Sequence, residues 1–463
     1  MDKGEKLSVI DDVLRYIATN EIRWIDLQFF DINGNLHRVS ISNKRVEESM
    51  FGIGIKAGEL NEVFGHSEQG ELLLRPDPNT LARLPWEPST IRFLCNVVNA
   101  VKTENYSKDP RYVAEKMETN LEAAGIKNSK VSTGIECYFF DTVATDRTSS
   151  GRGSGTTLDA REAKWSPSPL SNWRNGAYLP TPFDSMYSAR IQICETMEDS
   201  FGMPVENHSH GRAPTAQQTF SISEKGLRDA ADAVCTLKFI VRNLANAVNA
   251  SSTFMPYPVE GEKGNRQSIG ISLWKAADNN VFYDAKEDYA QFSQSGRYFI
   301  GGIIEHANAL SLFTAPTPNS YKRLAADPIT VGWSKEKNES LVVITNERKN
   351  DKEGKKIVYM GGDPAANSYL AYSTVLAAGL DGMKNKIDPG EPSDSADEKK
   401  KRTSKALPTS LYGAIEALES DTKFIKGVLP GELLGDYLDL KLAEHKRSIT
   451  AISGWEVEKY YNI

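Results

Sequence analysis

EIRWIDLQFFDINGNLHRVSIS, residues 21–42, places two runs of branched and aromatic side chains on either side of Asn33-Gly34. Asn-Gly between such runs is a strong hairpin signal, because a type I′ turn needs positive φ at both central residues. Outward from the hairpin, residues 5–18 pattern as a short amphipathic helix. LLLRPDPNTLARLPW (72–86) is punctuated by proline, and STIRFLCNVV (89–98) reads as a buried strand. Together these form a compact α+β unit over residues 1–105. Residues 106–463 are left as a second, larger unit.

A chain of 463 residues is long for one simple core. The net charge of −7 favours solubility and gives no electrostatic ground for a nucleic-acid partner. Cys95, Cys137, Cys194 and Cys235 lie far apart with no CxxC pair, so neither a zinc ribbon nor a disulfide framework is indicated. The opening MDKGEKLSVIDDVLRYI lacks the apolar core of a signal peptide, and no apolar run approaches the roughly 18 residues of a membrane span. The expectation is a cytoplasmic protein without a membrane partner.

DPRYVAEKMETNLEAAG (109–125) carries its own helix boundaries: Asp109 to cap, Pro110 at the first helical position, Gly125 to end it. KVSTGIECYFFDTV follows as a strand, with Gly134, Glu136 and Tyr138 on one face. Residues 145–172 and 389–408 read as surface excursions, the latter mobile for want of apolar residues. Helical patterns cover 225–249, 297–311, 366–380, 409–420 and 431–447.

VENHSHGRAPTAQQTFSI (205–222) spaces Glu206, His208 and His210 two apart, which on a strand puts all three on one face. A carboxylate and two imidazoles can hold a transition metal. Two histidines on a half-buried strand also serve simply as hydrogen-bonding residues.

Several ordered stretches resemble the glutamine synthetase family, type I-like. They are FFDINGNLHRVSIS, RPDPNTLARLPWEPSTIRFLCNV, DPRYVAEKMETNLEAAGI, FMPYP (254–258), APTPNSYKRL (315–324) and DPAANSYLAYSTVLAAGLDGMKNKI (363–387). The resemblance implies an α+β fold, with an N-terminal β-grasp domain over 1–105 and a catalytic-type domain over 106–463 built on an antiparallel sheet wrapped by helices. It also implies a homo-oligomer of stacked rings, a dodecamer, with each active site shared between neighbours. Co-assembly with an active glutamine synthetase paralogue is a further expectation.

The family's reaction uses ATP and two divalent cations, Mg²⁺ or Mn²⁺. Hard cations want several oxygen ligands apiece. Where the family's first metal strand reads G-x-E-x-E-F, this chain has GIECYFF: Glu136 matches and Tyr138 replaces the second glutamate. Against VE-x-x-HHE, Glu206, His208 and His210 match, while Ser209, Gly211 and Thr219 replace a histidine and two carboxylates. GNRQSIGISL puts Ser268 and Gly270 at two histidine positions and retains Ser272. In KKIVYMGGD, Val358 and Met360 replace a glutamate and an arginine, and KNES carries Lys337 and Glu339 where the family has arginines. Gly52 aligns loosely with the family's base, and Asp327 with its flap carboxylate.

By this resemblance Glu136 and His208 are the metal candidates, His210 and Arg323 the substrate candidates, and Glu206 and Ser272 the nucleotide candidates. No catalytic residue is assigned. Without a metal, Glu136 needs a cationic partner, for which Arg212 and Arg323 are available. The expectation is a catalytically inactive family member with a structural, regulatory or ligand-sensing role and no cofactor. The alternative is an ATP-dependent glutamate–ammonia or glutamate–amine ligase with a remodelled site, using ATP and Mg²⁺ or Mn²⁺. A third reading puts an uncharged ligand in the space left by Ser268, Gly270, Val358 and Met360, or a softer metal on Glu206, His208 and His210.

Overall fold

The computed structural model describes residues 9–64, 70–146, 155–172, 176–335, 339–345, 348–394 and 406–463. The opening stretch forms a hairpin, Trp24–Phe30 paired antiparallel with Leu36–Ser42. Its turn is not the expected two-residue type I′. Phe30 lies opposite Leu36, leaving five loop residues, and Gly34 takes φ +83° while Asn33 stays outside the left-handed region. Asp31 replaces the missing turn chemistry, accepting the Asn35 backbone N–H and side-chain amide at 2.8 Å each.

A mixed sheet grows from this hairpin. Trp24–Phe30 runs parallel to Thr90–Asn99, which also pairs antiparallel with Leu72–Pro76 and Ala82–Arg83. The helix Val9–Thr19 packs Val13 and Ile17 into the same core as Ile25, Leu27 and Phe93.

The larger sheet runs in the order Thr330–Ser334, Ser340–Thr345, Lys356–Tyr359, Gln267–Ala276, Asn128–Phe140, Gln217–Lys225, Val205–His210. It is antiparallel except for its outermost pair, Thr330–Ser334 with Ser340–Thr345, which is parallel. Helices Pro110–Ala123, Leu227–Ala247 and Ser368–Asn385 cover it, each burying an apolar face. Asp109 caps the first of them as its sequence implies, accepting the Arg111 N–H at 3.0 Å. It also accepts the Val97 N–H at 2.9 Å, so the cap is tied to the smaller sheet. Burial pushes its carboxyl up to about 7.

The helix expected over 297–311 is two helices, Gln294–Glu305 and Ala307–Thr314, broken at His306. His306 is held between Asp381 (3.2 Å) and Asp421 (2.7 Å). The excursion over 145–172 is partly structured. Thr142–Asp146 pairs with Gly155–Asp159, and beyond that hairpin the chain turns inward to bury Ala160, Glu162 and Ala163. Most of the 389–408 excursion lies outside the described residues, as do residues 5–8 and Lys337.

Two contacts join the sheets' surroundings. Asn367 donates from its side-chain amide to the Asp31 and Ile32 carbonyls (3.2 and 3.1 Å) at the hairpin tip. Arg111, 1% exposed, donates to Asp232 (2.9 Å) and Asp77 (2.8 Å), and Tyr369 donates its hydroxyl to Asp232 at 2.6 Å. With the Asn96 side-chain oxygen as a third acceptor, the guanidinium's neighbours lie on three separate elements, so this buried charge is paired and hydrogen-bonded.

Candidate active-site cleft

Glu136 lies near the middle of the large sheet, directly opposite Thr219. Its partner is Arg212. Arg212 Nε lies 3.3 Å from Glu136 Oε1, Arg212 Nη2 lies 3.5 Å from Oε2, and the Arg266 backbone N–H donates to Oε2 at 2.7 Å. The same guanidinium reaches Asp327 Oδ2 at 3.0 Å. Asp327 also takes Lys263 Nζ at 2.9 Å and the Arg266 guanidinium. Burial raises the Asp327 carboxyl, but Lys263, Arg266 and Arg212 outweigh it and hold the group well below the usual carboxylate range. Arg266 is lowered, first by burial and then by Arg212 beside it.

Tyr138 donates its hydroxyl to the Lys263 carbonyl at 2.6 Å. It thereby anchors the segment that brings Lys263 and Arg266 to the site.

His210 is buried. Its Nε2 lies 2.8 Å from Glu162 and its Nδ1 3.0 Å from the Gly211 carbonyl. Both partners are acceptors, so the ring makes both bonds only as imidazolium. Burial lowers its pKa, but Glu162 and the Gly211 carbonyl prevail and raise it. His208 is the reverse case. Arg190 Nε donates to its Nδ1 at 3.2 Å, which requires a neutral ring carrying its proton on Nε2. Burial and Arg190 lower its pKa accordingly.

The other candidates are dispersed. A register shift between Ser221 and Ile222 disrupts the pairing around Glu206, which is exposed. Ser272 is buried and accepts the Trp274 indole N–H at 3.0 Å. Arg323 is fully buried, donating to the Gly361 carbonyl at 3.0 Å with Asp363 at 3.6 Å. Arg212, not Arg323, answers the charge of Glu136. Gly52 ends a four-residue helix with open space around it.

The donor set does not fit two divalent ions. The Glu136 and Asp327 oxygens already accept hydrogen bonds, almost all from cationic side chains. The Nδ1 lone pair of His208 is taken by Arg190, and the Nδ1 and Nε2 of His210 are both committed. Among the described residues no group of three or more His, Cys, Asp or Glu is placed to hold a metal ion. This covers the softer triad of Glu206, His208 and His210. Serine hydroxyls pack closely against Gly270 and Gly134. A side-chain carbon on Gly270 would meet Ser132 Oγ at 2.3 Å, and one on Gly134 would meet Ser268 Oγ at 2.7 Å.

Sequence reasoning did not find Glu162, Arg190, Lys263 or Arg266. Each comes from an irregular segment or a helix without a motif. The available signal for Glu162 was a carboxylate in an otherwise polar loop, which on its own reads as solvated.

The arrangement is a cleft in which organic cations stand among two carboxylates on a synthetase-like sheet. Residues 21–100 match the glutamine synthetase beta-grasp domain and residues 107–460 the glutamine synthetase catalytic domain. The chain belongs to the glutamine synthetase family. It is 35% identical to the glutamine synthetase of Sulfolobus acidocaldarius over 448 residues, 94% of each chain. It is also 32% identical to a 3-hydroxylaminophenol mutase of Cupriavidus pinatubonensis, covering 98% of this chain and 99% of that one. The fold is that of Plasmodium falciparum glutamine synthetase, with TM-score 0.88 over 99% of this chain and 100% of the other at 20% identity. Among the described residues no helix is long and apolar enough to cross a membrane.

Proposed function

We propose that this protein is an ATP-dependent ligase that joins ammonia or a small amine to glutamate or a similar acid in a remodelled cleft. The observation that carries the reading is chain-long kinship: 35% identity to a named glutamine synthetase across 94% of both chains. Kinship at that level, through both domains, favours the ligase over the expectation of an inactive relative. An amide forms from a carboxylate only when one oxygen departs, and ATP supplies that route by carrying it off as phosphate with release of ADP. Arg212, Lys263 and Arg266 supply positive charge toward such a phosphoryl group. No step is assigned to a protein-held metal, because the donors do not fit one. His210 and Arg323 on the acid, and Glu206 and Ser272 near the nucleotide, belong to this proposal. So do the division near residue 105, a stacked-ring homo-oligomer and a cytoplasmic setting.

A specific observation favours a second reading. Arg212 seated between Glu136 and Asp327 closes the cleft on itself, as a non-catalytic ring protein would permit. One assay separates the two. Purified protein is incubated with ATP, Mg²⁺, glutamate and either ammonium or methylamine, and amide product and ADP are quantified together. Stoichiometric amide and ADP support the ligase; no product from folded, assembled protein supports the second reading.

A further inference from the structure

A cavity of about 790 Å³ lies away from the Glu136 cleft. It is bounded by the first hairpin, the helix Leu227–Ala247 and the loop that follows Asp363. Four cationic side chains and one carboxylate line it: Arg38, Lys238, Arg242, Lys441 and Glu444. Two of the cations are answered, Arg38 by Asp26 at 3.2 Å and Lys441 by Glu444 at 3.0 Å.

Lys238 and Arg242, one helical turn apart, are not. Among the described residues neither meets a carboxylate at ion-pair distance. Both stand by the Phe254 ring, at 5.9 and 5.7 Å from its centroid, so two like charges share one aromatic neighbour. Lys238 has only the Pro364 carbonyl as acceptor, at 2.6 Å. Two cations held close at the mouth of a partly enclosed space repel each other, and an anion between them relieves the cost. A second, independent observation lies in the wall of the same space. Gln28 is 2% exposed and lines the cavity, and its side-chain Nε2 has no hydrogen-bond partner. Ser252 Oγ, on another lining residue, is buried and equally unpartnered. Buried donors without acceptors are costly enough that native structures rarely leave them so. Phe30, Phe239 and Met255 add an apolar stretch to a lining that also carries Asn33, Asn35 and Thr317.

We propose that this cavity binds a small organic carboxylate. Its charged end is held by Lys238 and Arg242, with the Gln28 amide donating to it, and its apolar body lies along Phe30 and Phe239. Pro364–Ala366 line the cavity immediately after Asp363, whose carboxylate faces Arg323. The occupant therefore sits one loop away from the cleft. This site does not depend on the ligase reading, since it shares none of the residues assigned there.

The test is calorimetric titration of the full chain with phenylacetate, with inorganic phosphate, and with 2-phenylethanol as the uncharged counterpart. Phenylacetate is expected to bind one per chain, at least about tenfold more tightly than either of the others, since a charge-assisted bond is lost in one and apolar burial in the other. Arg242→Ala changes an exposed side chain and leaves the fold intact; it is expected to weaken phenylacetate at least about tenfold. Gln28→Leu is expected to weaken it severalfold. Phosphate binding as tight as phenylacetate, binding unaffected by Arg242→Ala, or no binding of any probe would each overturn the proposal.

Discussion

Arg212 donates to Asp327 at 3.0 Å while its Nε faces Glu136 at 3.3 Å, so one guanidinium bridges the cleft's two acidic side chains. In the family pattern, carboxylates on neighbouring strands converge on metal ions. Here Arg212 supplies a cation between Glu136 and Asp327. Its planar fork can serve two acceptors at once, which a lysine ammonium does less specifically.

The two histidines of the 205–210 strand titrate in opposite directions. His210 has a folded value above its ordinary one, so its contribution to stability is fully present below about pH 6.5 and is lost as pH rises through the raised folded value. His208 has a folded value below its ordinary one, so the folded state takes up fewer protons and is opposed as pH falls below about 6.5. Histidine-labelled NMR titration should show one ring still protonated above pH 6.5 and another neutral below it. Glu162→Gln should bring the His210 transition down; an unmoved transition would refute the pairing.

Asp232 answers the most deeply buried guanidinium of the Arg111 cluster. Asp232→Ala leaves Arg111 and the Tyr369 hydroxyl short of their main acceptor, and is expected to cost about 3–5 kcal/mol of stability. Urea unfolding measures it. A loss below about 1 kcal/mol would place the pair among marginal surface bridges instead.

Gly34 is at φ +83°, and a side-chain carbon there would stand 2.9 Å from Asn367 Cα. Gly34→Ala is expected to destabilise by at least about 1 kcal/mol through the left-handed backbone alone. It should also loosen the hairpin tip from Asn367. Faster proteolytic cleavage within residues 31–36, with the rest of the chain still resistant, is the predicted signature.

The hairpin, the Asp109-capped helix and the strand Asn128–Phe140 were legible because each writes its own periodicity or caps into contiguous residues. The turn of the hairpin was misread because Asn-Gly suggests φ values locally, whereas the Asp31 side chain and the approach of Asn367 select a five-residue loop. His306 ends a helix inside an apolar pattern because Asp381 and Asp421, distant in sequence, take up its ring. In the cleft, Glu136 and Arg212 were readable as a charge and its available partner. Lys263, Arg266 and Glu162 were not, since their roles come from where irregular segments pass beneath the sheet.

Arg212, Lys263 and Arg266 take up the Glu136 and Asp327 carboxylates that a divalent ion here would need. Titration of purified, nucleotide-free protein with Mn²⁺, followed by the paramagnetic resonance of the free ion, tests it directly. The predicted result is a free-ion signal undiminished by stoichiometric wild-type protein. Sequestration of one or two Mn²⁺ per chain, abolished by Glu136→Gln, would contradict it.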